Sequence, residues 1–382
     1  MKFQVERDPF ADAVAWTAKS LPARPPVPVL AGVLLDVTGA QGPDAMGRLT
    51  VSGFDYEVGS IMGMDVQADS TGQALVSGRL LAEITRSLPA QPVQVSSDGS
   101  RVEITCGSAR FTLPTMPVED YPALPEMPTV AGAVDPDVFA AAVAQAAIAA
   151  GRDDTLPMLT GVHMEIEGEK LSLVATDRYR LAIRELVWRP GDAATQRRAL
   201  VPARTLLDTA KALTSTDEVA IALSDTDAGA GLIGFSGGGR RTTTRLLDGE
   251  YPPVRNLLPD AYSATATVST AVMVEVVKRV ALVAERNTPV RLTFAEGVLT
   301  VEAGSSDDAR ASESMDSAFE GEELTIAFNP QYLLDGLGAI VGDAVRFSFT
   351  NPLKPAVMTG LNSQGEEELS YRYVLMPIRV AQ

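Results

Sequence analysis

Apolar and polar residues alternate along 156–168, with Val162, Met164 and Ile166 on one side, as a half-buried strand requires. Further on, 201–213 places Leu206, Leu207, Ala210 and Leu213 at helical spacing. Between them lies V-A-T-D-R-Y-R-L-A at 174–182. The same order occupies the first third: V-P-V-L-A-G-V-L-L-D-V-T-G at 27–39, S-G-F-D-Y at 52–56 and V-S-G-R-L-L-A-E-I at 76–84. The last third carries T-P-V-R-L-T-F-A-E-G at 288–297, E-A-G-S-S-D at 302–307 and F-N-P-Q-Y-L-L-D-G-L at 328–337. An order that returns once per third marks a domain copied twice, because solenoid repeats have periods of about 20 to 50 residues.

The rest of the chain fits this division. Phe3 and Val5 alternate as a first strand, and Phe10, Val14, Ala18 and Leu21 form one face of a helix that Pro22 ends. The proline-rich stretch 117–128 supports neither helix nor sheet and reads as a linker. A mostly alanine helix over 137–150 follows, with Phe139, Val143 and Ala147 on its stripe and Gly151 after it. Tyr251-Pro252-Pro253 echoes Tyr121-Pro122, and 257–260 makes a second linker. Val272, Val276, Val280 and Val283 stripe the next helix, Tyr332, Leu333, Leu337 and Ile340 the last, and 371–380 reads as a closing strand. The fold class predicted is α+β: three similar domains at 1–126, 127–260 and 261–382, each with two helices on one face of antiparallel strands.

Length agrees, since 382 residues at about 100 to 200 per domain give two or three domains. No apolar run approaches the ~20 residues of a membrane helix, so a soluble chain with no membrane partner is expected. The opening M-K-F-Q-V-E-R-D lacks an apolar signal core and the single Cys106 cannot pair within the chain, which points to the cytoplasm. Lys plus Arg number 32 against 49 Asp plus Glu, a net charge of -17. Taken alone, this balance argues against nucleic acid.

The motifs M-K-F at the start, A-T-D-R-Y-R-L-A in the middle, F-N-P-Q-Y-L-L-D, and V-L-M-P-I-R-V at the end resemble the bacterial DNA polymerase III sliding clamp, the beta subunit. The resemblance spans the whole chain and includes the threefold repetition. It implies a non-catalytic processivity factor, a head-to-tail homodimer closed into a ring of six similar domains around duplex DNA. The alternative is a specialised clamp paralogue or interaction scaffold outside bulk replication. Such a ring answers the charge puzzle, because DNA is held by topology and needs only weak contacts from a basic lumen.

Candidate lumen residues on or beside the predicted helices are Arg24, Arg79, Arg86, Arg152, Arg197, Arg198, Arg204, Lys211, Lys278 and Arg279. Some of these, with Lys19 and Arg286, also sit near helix C-termini, where a cation offsets the helix dipole by about 0.3 to 1 kcal/mol; that reading stands beside the first. The resemblance further implies a groove between domains two and three that takes an extended peptide from the polymerase III alpha subunit, the clamp loader and other clamp-motif replication and repair proteins. The matching positions are Leu159, Thr176, Arg178, Tyr179, Arg180 and Leu181, then Pro252 and Leu257, and from the last third Asn329, Tyr332, Leu353, Pro355, Val374, Met376, Pro377, Ile378 and Arg379. Leucine, proline and methionine make an adaptable apolar pocket, and Arg and Asn can bond a peptide backbone. Ordinary core is the other reading of Leu181, Leu257 and Val374. For ring closure, Phe111 and Leu113 would face Ala281 and Leu282, with a sheet-edge core contact as the alternative. The chain departs from the pattern at Asn287, at Arg178-Tyr179 in place of a common Gly-His pair, and in ending Arg379-Val380-Ala381-Gln382.

An enzyme is the rival class. His163, the only histidine, alternates within a strand, and neither it nor Cys106 has a partner for metal or nucleophilic chemistry. Asp153-Asp154, Asp307-Asp308 and Glu366-Glu367-Glu368 fall in predicted loops, where acids are solvated. Gly237-Gly238-Gly239 before Arg240-Arg241 lacks the Gly-Lys-Ser/Thr ending of a phosphate loop and reads as a strand turn. No catalytic residue, metal or cofactor is expected.

Overall fold

The helices form where apolar residues recur at helical spacing: α1 Arg7–Lys19, α2 Gly78–Ser87, α3 Pro136–Ala147, α4 Ala203–Ala212, α5 Thr270–Val280 and α6 Pro330–Ala339. They belong to a computed structural model that describes residues 1–39, 46–224, 231–285, 288–304 and 309–379. Arg286, Asn287, Asp307, Asp308, Val380, Ala381 and Gln382 lie outside the described residues.

The chain divides into two compact units, Met1–Pro136 with Asp208–Leu246, and Asp137–Leu207 with Leu247–Gln382. The predicted middle third therefore contributes strands to each unit. In the first unit, Arg240–Arg245 pairs antiparallel with Val58–Ser70, Thr242 opposite Ser60, and extends that sheet through Leu232–Gly237, Val219–Leu223 and Val130–Val134. Lys2–Val5 pairs with both Val58–Ser70 and Val93–Ser97, so the strands of the first third close on themselves. Their inward residues, including Val33, Leu35, Leu49, Val51, Val95 and Ile104, pack with Phe10 and Val14 of α1 and Leu81 of α2 into one core. Burying each such side chain contributes about 1.5 to 3 kcal/mol.

In the second unit, Arg180–Val187 pairs antiparallel with Glu367–Leu375, Leu181 opposite Val374, and joins middle-third strands to last-third strands in one sheet. A separate sheet orders Arg310–Asp316, Val298–Gly304, Val290–Ala295 and Leu324–Phe328. Helices α5 and α6 pack on each other, as α1 and α2 do in the first unit.

Several elements differ from the sequence expectation. The stretches 27–39 and 156–168 begin as 3-10 turns, Pro28–Ala31 and Pro157–Thr160, before the strands Gly32–Gly39 and Gly161–Glu167. Proline sits at the first turn position in both, where its fixed φ and missing N–H suit a helical start. Helix α3 stops at Ala147. On α5, Val272 is 47% exposed, and Met273 and Val277 take inward places with Val276 and Val280. The closing strand ends at Leu375, just before Met376-Pro377, because proline cannot donate to a ladder. The glycine triplet forms a two-residue hairpin: Gly237 pairs with Arg240, and Gly238 and Gly239 hold φ of 55° and 79°.

Candidate peptide-binding groove

The turn at Asp177 is the best-defined feature of the site. Asp177 Oδ1 accepts from the backbone N–H of Tyr179 (3.0 Å) and Arg180 (3.1 Å), and Thr176 Oγ1 accepts from the Arg178 N–H at 3.1 Å. The first third repeats it, with Asp55 Oδ1 accepting from Glu57 (2.9 Å) and Val58 (2.6 Å). In each copy the residue after the aspartate has positive φ, 76° at Tyr56 and 80° at Arg178, and among the described residues these are the non-glycine cases. That conformation costs about 1 to 3 kcal/mol in a residue with a Cβ, so the carboxylate must over-determine the turn. Its result is that Arg178 and Tyr179 stand outward while Arg180 turns in.

Arg180 is 5% exposed, its Nε 2.9 Å from Asp177 Oδ2 and its Nη1 2.6 Å from Asp335 Oδ2. Burial opposes its charge, yet the Tyr373 hydroxyl and the two aspartates more than offset that and hold the guanidinium above its ordinary range. It lies over the Tyr332 ring, 4.3 Å from the centroid, and Tyr179 stacks against Tyr332 at 6.4 Å. Tyr332 is placed by α6, whose N-cap Asn329 accepts through Oδ1 from Gln331 N (2.9 Å) and Tyr332 N (3.2 Å). Tyr373 donates its hydroxyl to the Tyr332 carbonyl at 2.9 Å. A Cβ on Gly336 would stand 2.4 Å from the Tyr373 ring, so α6 can approach the strand only with glycine there.

These groups wall a cleft of about 460 Å³. Of the predicted groove residues it brings together Leu159, Arg178, Tyr179, Arg180 and Tyr332; sequence reasoning missed Asp177, Gln331 and Asp335 as lining, and Arg152, expected to face DNA, lines it too. Beside it, Leu181 and Val374 are fully buried in an apolar cluster with Val174, Ile183, Val254 and Val357, against which Tyr251 and Leu258 pack. Leu181 and Val374 therefore support the surface from below. Thr176 is buried as well, donating its hydroxyl to the Arg180 carbonyl. Leu257 is 38% exposed, Leu353 68% and Ile378 37%; Pro252 and Arg379 are exposed, and Pro355, Met376 and Pro377 half-buried. Met376 N donates to Tyr179 O (2.9 Å) and Ile378 N to Ala327 O (2.8 Å), which pins the segment after the last strand.

His163 stacks on Tyr251, centroids 4.8 Å apart, and its Nδ1 lies 3.5 Å from Glu165 Oε1. Burial holds its pKa below the usual value, opposed by Glu165 and aided by Arg198 and Arg255. Arg255 binds Glu165 at 2.6 Å and Glu185 at 3.2 Å, and Glu185 also meets Lys170 and Arg372. This network fastens the segment carrying Pro252 and Leu257 to the sheet. Among the described residues, no group of three or more His, Cys, Asp or Glu side chains is placed to hold a metal.

The ten basic candidates for DNA are all exposed: Arg79 and Arg86 on α2, Arg204 and Lys211 on α4, Lys278 and Arg279 on α5, Arg197 and Arg198 on Gln196–Pro202, and Arg24 and Arg152 between helices and strands. Lys278 pairs with Glu275 (3.0 Å) and Arg279 with Glu313 (2.6 Å). Of the interface candidates, Leu282 is 84% exposed, Ala281 and Phe111 are half-buried, and Leu113 is buried in the core of the first unit. Phe111 and Leu113 share one face of Ala109–Met116, and that face is the core. Among the described residues, this strand leaves part of its backbone edge open, since Gly72–Ser77 pairs with it at Thr115 and Met116. Arg310–Asp316 ends its own sheet in the same way.

Family models for the DNA polymerase III beta subunit match along the chain: the N-terminal domain over 1–125, the central domain over 133–253 and the C-terminal domain over 255–379. The beta sliding clamp of Streptomyces coelicolor is 56% identical over all 382 residues, covering both chains fully. The beta sliding clamp homolog GriR of Streptomyces muensis is 44% identical over 99% of each. Among solved structures, the DnaN sliding clamp of Pseudomonas aeruginosa bound to griselimycin superposes with a TM-score of 0.90 at 27% identity, over the whole of both chains. With its three-domain clamp fold, the chain belongs to the DNA polymerase III beta subunit family, the bacterial sliding clamps.

Proposed function

We propose that this chain is a DNA sliding clamp, a cytoplasmic and non-catalytic processivity factor that encircles duplex DNA as a homodimer and tethers the replicative polymerase. The observation that carries this is the match of all three beta-subunit domains, in order, to one chain. The higher identity to a beta sliding clamp than to the GriR homolog favours the principal clamp over a paralogue.

Three repeats, taken as 1–126, 127–260 and 261–382, supply the arc of each protomer in this reading. Head-to-tail closure sets the open edge of Ala109–Met116 beside Phe111 against the partner's Arg310–Asp316 edge and the exposed Leu282. Two unpaired edges complete each other's ladders in such a joint. The exposed cations of α2, α4 and Gln196–Pro202 supply a sliding surface without sequence preference. The cleft beside Tyr332, continued along Pro252, Leu257, Leu353, Pro355 and Met376 to Arg379, accepts an extended peptide from the polymerase alpha subunit, the clamp loader and other clamp-motif proteins.

Sedimentation equilibrium tests the assembly: a mass near twice 40.3 kDa is expected, and a strict monomer at micromolar concentration contradicts the ring.

A further inference from the structure

The only histidine, His163, stands where segment 251–258 meets the sheet of the second unit, and its ring lies flat on Tyr251, centroids 4.8 Å apart and planes 15° from parallel. The backbone bonds of this segment are made within it: Val254 N to Pro252 O at 2.7 Å, Asn256 N to Pro253 O at 3.3 Å and Leu258 N to Arg255 O at 3.1 Å. Side chains hold it down. Tyr251 rests on His163, Val254 and Leu258 join the apolar cluster, and Arg255 enters the ion network.

Arg255 gives both Nε (3.1 Å) and Nη2 (2.6 Å) to Glu165 Oε2. The other oxygen, Oε1, faces His163 Nδ1 at 3.5 Å, too long for a hydrogen bond. A protonated imidazole carries a donor on each nitrogen, and a small turn of Glu165 brings this oxygen into a charge-assisted bond. The surroundings are already cationic. Arg198 lies opposite Glu165 on the neighbouring strand, while Lys170, Arg255 and Arg372 converge on Glu185 Oε1 at 2.9, 3.2 and 3.3 Å. Four cations thus share two carboxylates, and Tyr251, whose pKa burial raises, supplies no anion. A fifth positive charge on His163 competes with Arg255 for Glu165. Arg255 is the one free to leave, because it is 38% exposed and rides on the four-residue turn Val254–Leu257, whereas Lys170, Arg198 and Arg372 stand on strands.

We infer that His163 is a proton-operated latch: neutral, it leaves Glu165 to Arg255 and keeps segment 251–258 closed on the sheet; protonated, it takes Glu165 and releases the turn Val254–Leu257. Burial, with Arg198 and Arg255, disfavours the imidazolium in the closed form, so proton uptake favours the open one and opening sets in as pH falls below 6.5. Pro252 and Leu257 lie on this segment, so the latch regulates one edge of the groove; that consequence rests on the peptide-groove reading, and the latch itself does not.

The test is amide hydrogen exchange on the full chain at about pH 7.5 and about pH 5.5, corrected for the intrinsic rate at each pH. An opening that must precede proton uptake is favoured up to about tenfold at one pH unit below 6.5. Protection of the Val254, Asn256 and Leu258 amides is therefore expected to fall up to about tenfold, while the strand Arg180–Val187 keeps its protection. His163→Gln should remove the fall, and Arg255→Gln should leave the three amides weakly protected at both pH values. Equal protection of the parent at the two pH values, a fall that persists in His163→Gln, or a matching fall across Arg180–Val187 overturns the latch. So does a well-protected turn in Arg255→Gln at pH 7.5, which keeps the test decisive if His163→Gln does not fold. No peptide enters this measurement, so failure of the latch leaves the groove reading standing.

Discussion

Asp177 does two jobs with one carboxylate: Oδ1 closes the turn and Oδ2 neutralises a guanidinium that is 5% exposed. Asp177→Ala is expected to cost about 2 to 4 kcal/mol in urea unfolding, since it strands a buried charge with one partner and frees two backbone donors. Asp177→Asn keeps the turn acceptor and should cost clearly less; equal losses would show that the turn contributes nothing. His163 gives the molecule a pH dependence of known sign. Its folded pKa lies below the unfolded 6.5, because burial disfavours the imidazolium. Stability is therefore full above about pH 6.5 and falls as pH drops through the lowered folded value. Glu185 acts in a separate window: burial works to raise its pKa, but Lys170, Arg255 and Arg372 outweigh it, and its contribution is lost only as pH falls below 4.5. In urea titrations from pH 7 to 5, His163→Gln should flatten the slope, and an unchanged slope would assign it to other groups.

Helix α6 ties the site to the sheet, so its start and its close face are where changes at the scale of an element should register. Asn329→Ala removes the acceptor for two first-turn donors and should cost about 1 kcal/mol. Gly336→Ala drives a methyl into the Tyr373 ring and should cost about 1 to 3 kcal/mol, with peptide affinity falling as Tyr332 is displaced. Melting and peptide titration on the same protein check both. The helices were legible because pairs at helical spacing, Phe10 with Val14, Leu206 with Ala210, Val276 with Val280 and Leu333 with Leu337, are all buried. The 3-10 turns before Gly32 and Gly161 were not, because Val29, Leu30 and Leu159 are buried there as a strand's residues would be and periodicity cannot separate the two over four residues. At the site, Tyr332 and Arg180 were reached through motif resemblance. Asp335 was missed because its role depends on a partner 155 positions away, which no local pattern encodes. Leu113 was placed at an interface for the same reason: alternation fixes that it shares a face with Phe111 but not that this face is the core.

For the whole molecule, the threefold repeat was visible in the order of motifs, whereas the division into compact units was not. Pairing of Arg240–Arg245 with Val58–Ser70, and of Arg180–Val187 with Glu367–Leu375, carries sheets across the repeat boundaries. The interface should respond to exposed and buried positions in opposite ways. Leu282→Asp leaves the protomer's stability within about 0.5 kcal/mol but weakens the dimer at least tenfold in sedimentation. Leu113→Asp instead unfolds the first unit, because it buries a charge. A net charge of -17 gives the chain no overall attraction to duplex DNA, which accords with retention by encirclement. The direct measurement is retention on a nicked circular duplex, loaded by a clamp loader with ATP, before and after one double-strand cut. The protein should stay on the intact circle through gel filtration and leave once free ends are made. Persistence on the linear product, or loss from the intact circle, would contradict a clamp that holds DNA by encircling it.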